Sequence, residues 1–124
     1  MRRLVLLLIA SVIAVTVLAA VAQASCVPTT AAQQRARADV IFDGVALEGP
    51  TATGAQRFKV SRYFKGSGPR VVRVSTGHIK RADGISTITS VSLDVRRGER
   101  WRIFARGSAR KVLRSSACDG SRKL

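Results

Sequence analysis

The first two dozen residues decide which part of this chain folds, and where. Arg2 and Arg3 precede an apolar run of 18 residues, Leu4 to Val21, and Ala22-Gln23-Ala24 follows directly. A charged start, an apolar middle and a small-residue site are the pattern that a signal peptidase reads. Residues 1–24 are therefore expected to be removed, leaving a domain of about a hundred residues, 25–124, secreted or held in the cell envelope. The same run lies at the short end of what spans a bilayer. If retained, it would tether the domain to a membrane in the same outward orientation, because Arg2 and Arg3 stay on the inner face. Ser11 and Thr16 dilute the run, and the cleavage site abuts it, so removal is the favoured reading. Lipidation at Cys26 is disfavoured, because Gln23 stands where an aliphatic residue is usual.

The exported part holds both cysteines, Cys26 and Cys118. An oxidising compartment permits a bridge between them. Such a bridge would close a loop of about 90 residues and stabilise the fold by about 4 to 5 kcal/mol through chain entropy. Two free thiols or a metal pair are the other readings. Metal is disfavoured, since His78 is the only histidine and the cysteines match no zinc spacing.

Without Arg2 and Arg3, 20 basic residues remain against seven acids, so the mature domain carries +13. A field of that strength attracts anionic partners such as envelope polymers, or else only keeps the surface solvated. Nucleic acid is not an expected partner: aromatics are few, and the domain is exported.

Thr29 or Thr30 caps a short helix ending near Ala38, built from Ala31, Ala32, Gln33, Gln34, Arg35 and Ala36. A long strand follows over Asp39–Glu48. A bulge at Asp43-Gly44 is expected to bring Val45 and Leu47 to the face of Val40 and Phe42. A second strand, Arg57–Phe64, puts Phe58, Val60 and Phe64 on one face. Lys65–Pro69 turns into a third strand, Arg70–Thr76. Gly77–Thr89 is irregular, with a weak strand near its end. A fourth strand, Arg100–Arg106, points Trp101, Ile103 and Ala105 inward, and a fifth covers Lys111–Ser115. The basic tail from about Asp119 is expected to fray. Several short strands with little helix indicate an all-β barrel or sandwich.

These pieces, in this order, resemble the netrin-like module, the five-stranded OB barrel of the tissue inhibitors of metalloproteinases and their small secreted bacterial relatives. The likeness spans roughly Ala24 to Gly120. Ser25-Cys26-Val27-Pro28 matches the family's Cys-x-Cys-x-Pro start, with Ala24 at the first cysteine. Ala38-Asp39-Val40-Ile41-Phe42-Asp43-Gly44 matches its first strand, and Tyr63-Phe64-Lys65-Gly66 a strand end of the bacterial members. Gly98-Glu99-Arg100-Trp101-Arg102-Ile103-Phe104-Ala105 matches a later strand, and Val112–Cys118 the closing one. The resemblance implies an OB-like Greek-key barrel with a short N-terminal helix, closed by a Cys26–Cys118 bridge. It also implies a non-catalytic binding module, with no cofactor and no metal of its own, whose partner is a protein of the metalloprotease kind.

In the animal inhibitors the first cysteine's α-amine and carbonyl chelate the protease's zinc. Here Ala24 takes that place, and the first cysteine's usual partner falls near Ser90 or Ser92. The resemblance therefore implies the fold more strongly than it implies inhibition. The candidate binding ridge is Ser25, Cys26, Val27 and Pro28.

Outside the resemblance, Arg96-Arg97 and Arg110-Lys111 are candidate anion-binding pairs, provided that their turns converge at one end of the barrel. His78 reads as an exposed loop residue. Phe104 either packs under the helix or lies exposed beside Arg102 and Arg106 as a stacking platform. The serines sit in no nucleophile elbow, and no pair of acids has acid/base spacing, so no enzyme is expected.

Overall fold

The computed structural model describes residues 26–124. The leader and Ser25 lie outside the described residues. A helix, α1 (Ala31–Arg37), leads into a mostly β chain. Thr30 caps α1: its hydroxyl accepts from the Gln33 N–H, while the Gln33 side chain accepts from the Thr30 N–H. This reciprocal pair satisfies two amide donors that a helix start leaves open.

Eight strands follow: β1 (Val40–Ala46), β2 (Ala55–Lys65), β3 (Val71–Ser75), β4 (Ile79–Lys80), β5 (Ser86–Thr87), β6 (Arg100–Ala105), β7 (Val112–Arg114) and β8 (Arg122–Lys123). Six of them form one curled mixed sheet in the order β7-β3-β2-β1-β6-β8, and β4-β5 is a separate small hairpin. The β3–β7 pair is parallel, and every other pair is antiparallel. Just beyond the end of β6, Arg106 exchanges both backbone hydrogen bonds with Arg114 of β7. Among the described residues no helix is long and apolar enough to cross a membrane.

The concave side of the sheet holds the core. Phe42, Phe58, Ile103 and Leu113 are fully buried there, and Trp101 and Ala105 lie among them. The Phe42 ring meets Phe58 edge-on at 6.1 Å and Tyr63 at the same distance. A smaller cluster, Ala38, Ile41 and Phe104, lies on the other side of the sheet.

Register explains two departures from the sequence reading. β1 runs against β6 without interruption, from Val40 opposite Ala105 to Val45 opposite Arg100. The bulge expected at Asp43-Gly44 is therefore absent from β1. Ala46, not Val45 or Leu47, takes the next inward position. Both register steps in the β1–β2 pair leave the extra residue on β2, at Ser61 and at Phe64. A bulge shifts the parity of everything beyond it. Tyr63 therefore turns inward and Phe64 outward, where the sequence pattern had put Phe64 with Phe58 and Val60. Gly44 is required for a different reason: a Cβ there would sit 2.9 Å from the Lys59 carbonyl oxygen and 3.0 Å from the Phe42 ring.

The tail is ordered, contrary to the expectation of fraying. Ser116 caps a 3-10 turn at Ala117–Asp119, and β8 then pairs with β6, Trp101 opposite Lys123. Leu124 adds a bond to the Arg100 carbonyl.

Candidate functional site

Cys26 and Cys118 are bridged, with their Cα atoms 5.3 Å apart. The bridge anchors the described part of the predicted ridge to the 3-10 turn. Val27 is 80% exposed and Pro28 is exposed beside it. Val27 is thus an exposed apolar side chain on a covalently fixed segment.

The two candidate anion-binding turns do not meet. Arg96 and Arg97 precede β6 in a turn fixed by the Arg96 N–H on Glu99 Oε1 at 2.7 Å. Arg110 and Lys111 follow the other end of β6, in the turn into β7. The length of β6, about 3.3 Å per residue, separates them. His78 is buried, not exposed. Its Nδ1 makes no hydrogen bond among the described residues and faces Asp94 Oδ1 at 3.6 Å. The loop that carries it packs on Thr76, whose hydroxyl donates to buried Gln56. Phe104 is buried in the small cluster with Ala38 and Ile41, which decides against the stacking platform there.

A cationic, aromatic surface does exist, but around Phe64. Phe64 is 44% exposed. The Arg102 guanidinium lies 4.4 Å and that of Arg62 4.9 Å from its ring centroid. Arg102 is itself fixed by Asp43, with Nε 2.7 Å from Oδ1 and Nη2 2.8 Å from Oδ2. The hydrogen bond from Arg102 holds the buried Asp43 carboxyl below its ordinary range, against the opposing effect of burial, with further help from Arg100 and Arg122. Asp43 raises the Arg102 pKa in return. α1 walls this surface. Lys65 Nζ donates to the Arg35 and Ala36 carbonyls at 2.9 and 3.4 Å and so satisfies the helix end. Between helix and sheet runs an open groove of about 590 Å³.

The sequence reading missed Phe64, Arg62, Arg102 and Arg122 as a group. Their common face depends on the two extra residues in β2, and no Gly or Pro within that strand signals a bulge. Among the described residues, no three His, Cys, Asp or Glu side chains gather to hold a metal. No family model, curated protein or solved structure matches the chain.

Proposed function

We propose that the chain is a secreted, non-catalytic binding module of the netrin-like kind, which presents its N-terminal ridge to a protein partner. The observation that carries this reading is the Cys26–Cys118 bridge, which holds exposed Val27 and Pro28 on an otherwise ordered body. The strand order supports an OB-like barrel: five strands run β7-β3-β2-β1-β6, and the Arg106–Arg114 bridge leads back to β7. On that reading β8 and the β4-β5 hairpin are additions to the barrel. A bridge near the chain start also suits the leader's export reading.

The test is a binding and inhibition screen against zinc endopeptidases, using protein that begins at Ser25 and protein that begins at Ala24. A ridge-dependent contact predicts that Val27→Asp weakens any hit about tenfold or more. Hits indifferent to Val27→Asp, or none from either start, would remove the ridge reading.

A second reading, an electrostatic binder of anionic envelope polymer, is favoured by the charge distribution. Five of the 20 basic residues from residue 26 onward stand in ion pairs with acids, so the rest offer uncompensated charge. This reading requires retention on a polyanion column that falls steeply with salt. Retention insensitive to salt would discard it.

A further inference from the structure

We infer that the groove between α1 and the outer face of the sheet is a docking site for an acidic segment of a partner protein that carries one large apolar side chain. This takes from the proposed function only that the chain is a binding module, and it places a contact away from the ridge. The groove floor is Ile41, Phe64 and Phe104, and alanines of α1 form one wall. Arg35, Arg102 and Arg122 stand around that floor, and Arg62 adds a guanidinium over the Phe64 ring. No carboxylate lines the groove. Asp43, which lies beneath, has both oxygens committed to Arg102. Arg35, Arg62 and Arg122 take part in no ion pair among the described residues. The surface is thus positive at its rim and apolar at its centre.

The chemistry of the occupant follows from the number of each feature. A repeating polyanion such as a phosphate chain, a uronate glycan or a single-stranded nucleic acid is read by a track of repeated contacts. Here a single aromatic is exposed among the described residues, and guanidiniums already lie over its ring. A site with one apolar centre inside a cationic ring complements a ligand with one apolar group inside an acidic stretch, and a peptide segment supplies that. The walls are also preset. Lys65 ties the helix end to β2, and Asp43 orients Arg102, so little ordering opposes docking.

The experiment uses the mature protein and two short fluorescein-labelled peptides of equal charge, one of glutamate alone and one with a central Leu-Phe pair. Fluorescence anisotropy at physiological ionic strength should give about tenfold tighter binding for the Leu-Phe peptide. Phe64→Ala should bring the two affinities together, and circular dichroism should report an unchanged fold because the side chain lies outside the core. Arg62→Gln with Arg122→Gln should weaken both peptides about threefold or more. Val27→Asp should change neither, which separates this site from the ridge. Equal affinities for wild type, no effect of Phe64→Ala, or a Val27→Asp effect as large as that of Phe64→Ala would overturn the inference. So would inorganic polyphosphate binding tighter than the Leu-Phe peptide. Concentration-dependent self-association lost in Phe64→Ala would overturn it too, by making the groove an interface between copies.

Discussion

Asp43 gives both carboxylate oxygens to one guanidinium, and the titration of that pair should be visible in the stability of the whole chain. Its folded pKa lies below the unfolded value, chiefly through the Arg102 hydrogen bond. Glu99 is shifted the same way, first by Lys123 and then by the Arg96 amide. A carboxyl depressed on folding stabilises above its unfolded pKa and loses that contribution as pH falls through the folded value. The urea midpoint should therefore hold steady from neutral pH to about pH 5 and drop below about pH 4. Asp43→Asn should lower the midpoint at neutral pH and flatten the acid drop, as measured by urea titrations at both pH values. An unchanged acid drop would mean that the Asp43–Arg102 pair adds nothing to stability. The pairing of these two residues was not legible in the sequence, because 59 positions separate them and only the β1–β6 register brings them opposite.

At the scale of elements, the tail supplies the clearest test. Ser121 Oγ accepts the Phe104 N–H at 2.8 Å and lies 2.6 Å from Ser115 Oγ, which donates to the Phe104 carbonyl. Two serines thus serve the main chain of β6 just beyond the point where β8 stops pairing with it. Ending the chain after Gly120 removes Ser121, β8 and the Lys123–Glu99 ion pair. It leaves the Phe104 amide without its acceptor, so unfolding in urea should become about 1–3 kcal/mol easier. A frayed tail would give no change.

Helix α1 and the main strands were legible, because the capping threonine and the alternation of β3 and β6 are local signals. The bulges were not. Tyr63 and Phe64 are adjacent aromatics, and two-residue alternation from Phe58 and Val60 selects Phe64. The Phe42 ring, 6.1 Å from Tyr63, settles which one enters the core, and that is a tertiary fact. The tail misled for the same reason: Asp119 to Lys123 offers no apolar side chain to a core, and its order comes from pairing with a strand some twenty positions away.

For the whole molecule, the bridge is the largest single contribution that the sequence suggested. Cys26 and Cys118 lie 92 positions apart, so joining them removes much of the freedom of the unfolded chain. Replacing both by serine should cost about 2–5 kcal/mol in urea unfolding, with the fold retained near room temperature. A cost below about 1 kcal/mol would place the stability in the sheet alone. What could not be foreseen at this scale is where the charge gathers. A net +13 was plain from the start, yet the two basic turns singled out for it lie at opposite ends of β6, and arginines from three different strands line or flank the groove that holds Phe64 instead.

The bridge also decides how the molecule meets a pulling force. Its two cysteines stand close to the two ends of the described chain, so tension applied at those ends runs through a covalent bond and bypasses every strand of the sheet but β8. Only the flanking residues can yield, β8 peeling from β6 first. Behind the bond, the chain between two cysteines 92 positions apart stays out of reach of the load. Stretched, that chain would span about 300 Å. With the bond intact the domain behaves as a short inextensible link, and with the bond cut it becomes a long one.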